Sequence, residues 1–214
     1  MNRFLTLLFF VVLLFSFCKN SNAQFYLSPK YTGPTGYLKD YVNSGYGFEL
    51  GVSSKFYFGV RSRNFLNIDF LSNPDRKAFQ EVFSGGNWTN TELTSLRYYI
   101  SANYGLGLDF EPVKFDKFSL YYGLDFLFGF NTSQIEKYRL YLDGSTDFSS
   151  YYFSSLNSGL RPKLGLEYPL KFGSVGIEFT RSYVVAINYK VPLEGKGKLA
   201  SFHGKYSLGL FYKF

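Results

Sequence analysis

The sequence predicts an all-β chain: an eight-stranded antiparallel β-barrel that crosses a membrane. Three observations carry this. Apolar or aromatic residues alternate with small or polar ones at the two-residue period of a strand, in eight stretches. Outside the first twenty residues, no stretch is long and apolar enough for a spanning helix. A barrel explains that gap, because each of its strands carries only an alternating signal. Finally, the connections alternate long and short, as when turns lie on one side of a bilayer and loops on the other.

Arg3, an apolar run from Phe4 to Phe17 and Ser21-Asn22-Ala23 have the order of a secretory leader: charge, short apolar core, small-residue cleavage site. Residues 1–23 are therefore expected to be removed, leaving 24–214 as the barrel domain. Phe17 is too bulky for a lipid-attachment cleavage ahead of Cys18. The remainder has neither cysteine nor methionine, which excludes disulfide and thiolate chemistry. Losing Arg3 and Lys19 lowers the formal charge of +7 to +5. No basic run accompanies that excess, so nucleic acid is not an expected partner; anionic lipid is compatible with it.

The first strand is expected over 25–31, with Pro29 removing one ladder donor, and a loop over 33–45. Tyr46, Phe48, Leu50, Val52, Phe56, Phe58 and Val60 share one face of the second strand, and Arg61-Ser62-Arg63-Asn64 reads as a turn. Leu66, Ile68 and Phe70 form the third. Asn73 as a cap, Pro74 and Asp75 in a first turn, Phe79, Val82 and Phe83 on one side and Gly85 at the end predict a short helix. Strand four runs from Leu96 to Phe110, a turn from Pro112 to Lys117, and strand five from Phe118 to Asn131. A long connection covers 132–153, with Asp143-Gly144 as a hairpin tip. Strand six spans 156–167, a turn 169–172, strand seven 175–189 and a loop 191–199. The closing strand ends at Phe214.

Volume decides which face is inside. An eight-stranded barrel has room only for side chains, and the Phe-, Tyr- and Leu-rich face would overfill it. The other face mixes glycine with Glu49, Asp69, Arg97, Asp109, Asp125, Arg161, Lys163, Glu167, Glu178 and Lys205. These predict a plugged lumen of paired charges, since buried charge is tolerated only when paired. Aromatics at strand ends, among them Tyr46, Phe58, Tyr98, Phe110, Phe118, Tyr189 and Tyr212, are expected to form interfacial girdles.

The leader ending at Ala23-Gln24, the eight alternating strands and the final Phe214 resemble small bacterial outer-membrane β-barrels of the OmpA and OmpX kind. Ser207, Gly209, Tyr212 and Phe214 resemble the signal such proteins present to the barrel assembly machinery. The Ala-Gln junction and the Tyr-, Asn- and Lys-rich composition resemble the PorT-like barrels of Bacteroidota. That resemblance implies outer-membrane lipid and lipopolysaccharide as surroundings. It also implies a secretion or surface-protein partner and a role in protein secretion or envelope integrity.

Catalytic chemistry has one candidate. His203 is the only histidine; Ser201 and Lys205 flank it at i−2 and i+2 on one strand face. Ser201 as nucleophile and His203 as base would make a lipid-modifying hydrolase if an acid such as Glu178 reached them. Gly-Lys-Tyr after His203 departs from the His-x-Ser-Asn pattern of lipid A deacylase barrels, and a lone His near Ser also suits a polar lumen network. One histidine among scattered acids offers no metal cluster, and no cofactor is implied. Tyr37, Tyr41, Trp88, Tyr138, Tyr141, Tyr151 and Tyr152 are candidate contact residues on loops. The expected function is a non-enzymatic barrel displaying interaction loops. The hydrolase and a narrow channel are the alternatives.

Overall fold

The computed structural model describes residues 23–40, 42–55, 59–72, 78–84, 87–141, 145–188 and 200–214. The described residues form nine strands: β1 Ala23–Thr35, β2 Gly45–Lys55, β3 Val60–Ser72, β4 Ala78–Ser84, β5 Asn87–Phe115, β6 Phe118–Tyr141, β7 Thr146–Leu170, β8 Gly173–Asn188 and β9 Ala200–Lys213. A 3-10 turn, Gly36–Asp40, follows β1. All pairings are antiparallel between neighbours, β1 also pairs with β9, and β3 pairs with β5. Eight strands thus close a ring, and β4 lies outside it on the far edge of β5.

The closure has a defined stagger. One row of partners runs Phe25, Val52, Asn64, Leu106, Phe126, Leu160, Tyr183, Gly204 and back to β1 at Thr35. The row returns ten residues beyond its start, so the strands tilt across the barrel wall. Ladder pairs are missing at Ser28 and Pro29 on the β1–β9 seam, and at Arg161 and Pro162 between β7 and β8. Proline has no N–H to give to the ladder.

The apolar face points outward. Leu124, Phe126, Phe128, Leu164, Ile177, Phe179 and Leu208 are all about half exposed, whereas Glu49, Asp109 and Asp125 are fully buried. This inverts a water-soluble protein and suits a barrel bathed in lipid. Aromatic rings cluster near both ends of the belt: Phe110 on Tyr122 at 5.5 Å and Tyr212 on Phe214 at 5.1 Å toward the short turns, Tyr31 against Tyr46 at 5.9 Å toward the long connections.

Several boundaries differ from expectation. Arg61-Ser62-Arg63-Asn64 is part of β3, not a turn. Its polarity has the strand period, because Arg61 and Arg63 point into an ionic lumen while Ser62 and Asn64 do not. The reversal occurs between Lys55 and Val60, with Gly59 in the left-handed region at φ 74°. The expected helix over 73–85 is replaced, within the described residues, by strand β4. Phe79, Val82 and Phe83 are good strand formers, and the hairpin pairs Ala78–Ser84 with Thr94–Asn87.

The turn expected at Pro112–Lys117 shortens to Asp116-Lys117, with Asp116 at φ 43° and Phe115 paired to Phe118. A register shift between Phe110 and Val113 accommodates Pro112 inside β5. Pro169 and Leu170 lie in β7, and Gly173, at φ 128°, opens β8 after Lys171-Phe172. Residues 33–35 extend β1. The connection assigned to 132–153 is mostly the upper β6–β7 hairpin, where Tyr141 N–H donates to Ser145 O at 3.0 Å. Asp143-Gly144, Phe56, Phe58, Tyr189, the 191–199 loop and residues 1–22 of the leader lie outside the described residues.

Candidate functional site

The lumen is filled from the short-turn end upward. At its floor, Glu167 accepts from Lys213 Nζ at 2.7 Å, Arg61 at 2.5 Å and Ser174 Oγ at 2.5 Å; Arg61 also pairs with Glu111. Arg61 and Lys213 both lie 5.6 Å from the Tyr121 ring centroid. The adjoining layer centres on Glu49. Its carboxylate pairs with Arg63 at 2.6 Å, Arg161 at 2.7 Å and Lys30, and accepts from Tyr26 OH at 2.7 Å. Arg63 reaches on to Glu178, and Tyr121 OH donates to the same carboxylate at 2.8 Å. Arg161 reaches Asp125 at 2.6 Å, and Lys163 bridges Asp109 and Asp125 at 2.5 Å each. Higher still, Lys205 Nζ pairs with Asp69 at 2.5 Å and donates to Ser101 Oγ at 2.9 Å.

Among the described residues, seven bases (Lys30, Arg61, Arg63, Arg161, Lys163, Lys205, Lys213) thus face seven acids (Glu49, Asp69, Asp109, Glu111, Asp125, Glu167, Glu178). Equal and interleaved charge offsets the desolvation of each partner. Aromatic spacers pack between them. The Phe65 ring lies 4.4 Å from the Arg161 guanidinium and 5.7 Å from that of Arg63. It fits only because Gly105 stands opposite: a Cβ there would come within 1.9 Å of the ring. Phe65, Tyr26, Leu127 and Val184 form a buried apolar cluster within the lumen. A second cluster of Leu38, Val42, Leu71 and Tyr99 packs the 3-10 turn and the residues after it against β3 and β5 at the long-connection end.

Nine of the ten charged residues singled out from the sequence enter these pairs. The tenth, Arg97, falls at a register shift between Leu96 and Tyr98, and its side chain is outside the described residues. Lys30, Arg61, Arg63, Glu111 and Lys213 were missed. For Lys30 and Lys213 the signal was present: each alternates with outward aromatic or apolar neighbours.

Ser201 and His203 lie at inward register positions of β9, opposite Ala186 and Val184, and their side chains are outside the described residues. Glu178, the acid a triad would need, pairs opposite Gly209, six residues down the strand from His203. At about 3.3 Å per residue that is roughly 20 Å, and Glu178 is already bound by Arg63 and Tyr121. The geometry does not assemble the triad with Glu178.

At the end of the chain, Ser207 Oγ shares a hydrogen bond with Thr32 Oγ1 at 3.0 Å, and Gly209 faces the lumen. Tyr212 OH donates to Phe172 O at 2.7 Å, and Phe214 N–H to Phe25 O at 2.9 Å.

Above the ring, β4, the upper part of β5, and the upper parts of β6 and β7 continue as one four-stranded sheet. Among the described residues, the last β3–β5 pair is Ser72 with Tyr98, and the last β7–β8 pair is Ser155 with Asn188. Trp88, Tyr138, Tyr141, Tyr151 and Tyr152 therefore stand on strands rather than loops. Tyr37 belongs to the 3-10 turn, and Tyr41 is outside the described residues. Tyr152 is 72% exposed, the upper extreme among the aromatics of this sheet whose exposure is described.

No family model and no curated protein sequence matches the chain. Among solved structures it is similar to Neisserial surface protein A, at 15% identity over 91% of this chain and 98% of that one, TM-score 0.45. It is also similar to the attachment invasion locus protein Ail of Yersinia pestis, at 14% identity over 90% and 97%, TM-score 0.35. A third is a major outer membrane protein from Thermus thermophilus, at 14% identity over 90% and 99%, TM-score 0.43. The chain's own geometry, a closed eight-stranded ring with an apolar outside and an ionic inside, is that of an integral outer-membrane β-barrel.

Proposed function

We propose that this protein is a non-enzymatic outer-membrane scaffold that presents its projecting sheet to a protein partner. The observation that carries this is the pairing pattern above the ring. β4 pairs only with β5, and Ser149–Ser154 of β7 only with β6, among the described residues. Both edges offer backbone donors and acceptors to an added strand. The packed lumen argues against the narrow-channel alternative, and the distance from His203 to Glu178 along β9 argues against the hydrolase. A partner in protein secretion or envelope integrity, of the kind the PorT-like resemblance implies, fits this reading. Outer-membrane lipid and lipopolysaccharide would surround the belt. Ser207, Gly209, Tyr212 and Phe214 are proposed to serve recognition by the barrel assembly machinery.

The test is a chain in which residues 136–150 are replaced by a short Asn-Gly turn. The barrel should still assemble, while crosslinking on intact cells should lose the partner recovered with the unmodified protein. Unchanged partner recovery from the shortened chain would refute the role of the sheet. His203→Ala should leave that recovery intact.

A further inference from the structure

The outward face of the ring carries one full charge among its described side chains. Val175, Ile177, Phe179, Tyr183 and Val185 share the outward face of β8, and Arg181, also exposed, interrupts them. A charged side chain facing lipid is costly at the bilayer centre and costs little at its surface. The arm of Arg181 resolves this by leaning toward the long-connection end. Its guanidinium lies 5.2 Å from the ring centroid of Tyr183, the next outward residue in that direction. A long side chain can hold its stem on apolar wall and its head at the interface in this way. Tyr183 and Tyr206, with Tyr31 and Tyr46, belong to the aromatic girdle at that end.

The wall leaves room around this head. Tyr206 is the cross-strand partner of Arg181, yet its ring lies across the β1–β9 seam on Gly33, where a Cβ would come within 2.2 Å of it. On the other flank the register brings up Pro162, a short ring in a stretch without ladder pairs. Among the described residues no carboxylate pairs with Arg181. A planar cation beside a tyrosine of the girdle, open on both flanks and with no carboxylate paired to it among the described residues, suits an anion with several acceptor oxygens.

We propose that Arg181, beside Tyr183, is a docking site on the barrel wall for the phosphate of a membrane-lipid headgroup in the leaflet at the long-connection end. The guanidinium binds the phosphate, and Tyr183 borders it with a hydroxyl that can donate to the same group. The acyl chains then lie along the Leu, Ile and Phe surface below.

Native mass spectrometry of the full-length protein, extracted from membranes and delipidated, tests this with three probes: diphosphoryl lipid A, the same lipid with its phosphates removed, and inorganic phosphate. The wild-type protein should retain diphosphoryl lipid A. Removing the phosphates, or making Arg181→Gln, should each lower occupancy about tenfold. Arg181→Lys, which keeps the charge and loses the planar fork, should fall between. Inorganic phosphate should not displace the lipid. Both variants should keep the heat-dependent gel mobility of a folded barrel, because the side chain packs no lumen partner. Equal retention of lipid A by Arg181→Gln, or of the phosphate-free lipid by the wild type, would overturn the site. Displacement by inorganic phosphate would overturn its assignment to a lipid.

Discussion

β5, β6 and β7 each run through two regions that share backbone but little else. Inside the ring every strand has two neighbours, and its inward residues are locked in charge pairs around Glu49, Asp69 and Asp125. Above the ring the same strands form a sheet whose outer strands have one neighbour each among the described residues, with side chains such as Tyr152 and Phe148 more than half exposed. The difference teaches that strand propensity sets where strands form, whereas closure and a filled interior set where they are held firmly. A strand with one neighbour rests more on its ladder and cross-strand pairs than one held on both sides.

The largest break in that contrast should come from Glu49→Gln. It leaves Lys30, Arg63 and Arg161 facing a neutral group, and loss of one partner from a buried ion pair costs about 3–5 kcal/mol. Urea unfolding in detergent should show a loss near that size; a change under ~1 kcal/mol would mean that the lumen network does not hold the ring. Gly105→Ala comes next. Its methyl would press on the Phe65 ring, and overpacking of this kind costs about 1–3 kcal/mol, read by the same measurement. Hydrogen exchange sharpens the comparison without mutation. Amides of 146–152 should exchange well before those of 156–166 on the same strand, because local opening follows lost neighbours. Matching protection along β7 would erase the distinction. Tyr152→Ser should change unfolding by no more than about 0.5 kcal/mol, as for other exposed positions.

Much of the ring was legible because its two faces differ so strongly. From β5 to β9, parity alone separates Asp109, Asp125, Arg161, Lys163 and Glu178 from the leucines and phenylalanines between them. Parity failed where two physical meanings of polarity coincide. Arg61-Ser62-Arg63-Asn64 is polar on both faces, so it read as a turn although only its arginines enter the lumen. Asn73 through Gly85 carry helix-end residues, yet pairing with β5 favours a strand at Ala78–Ser84. Tyr and Ser within 132–153 obscured a hairpin that the β6–β7 ladder simply prolongs. Arg181 was passed over because it falls where an apolar residue belongs, and its meaning depends on which neighbours lean away from it.

The ten-residue stagger of the ring has a consequence for how the chain finds its fold. If β9 met β1 one residue out of step, Lys205, Ser207 and Lys213 would turn toward lipid while Leu208 and Leu210 turned inward. A slip of two would keep the faces but change the stagger and hence the girth, drawing Lys205 away from Asp69 and Ser207 away from Thr32. The interior therefore acts as a proofreading device: only one alignment of the last seam lets Lys205 and Ser207 find their partners on the far side.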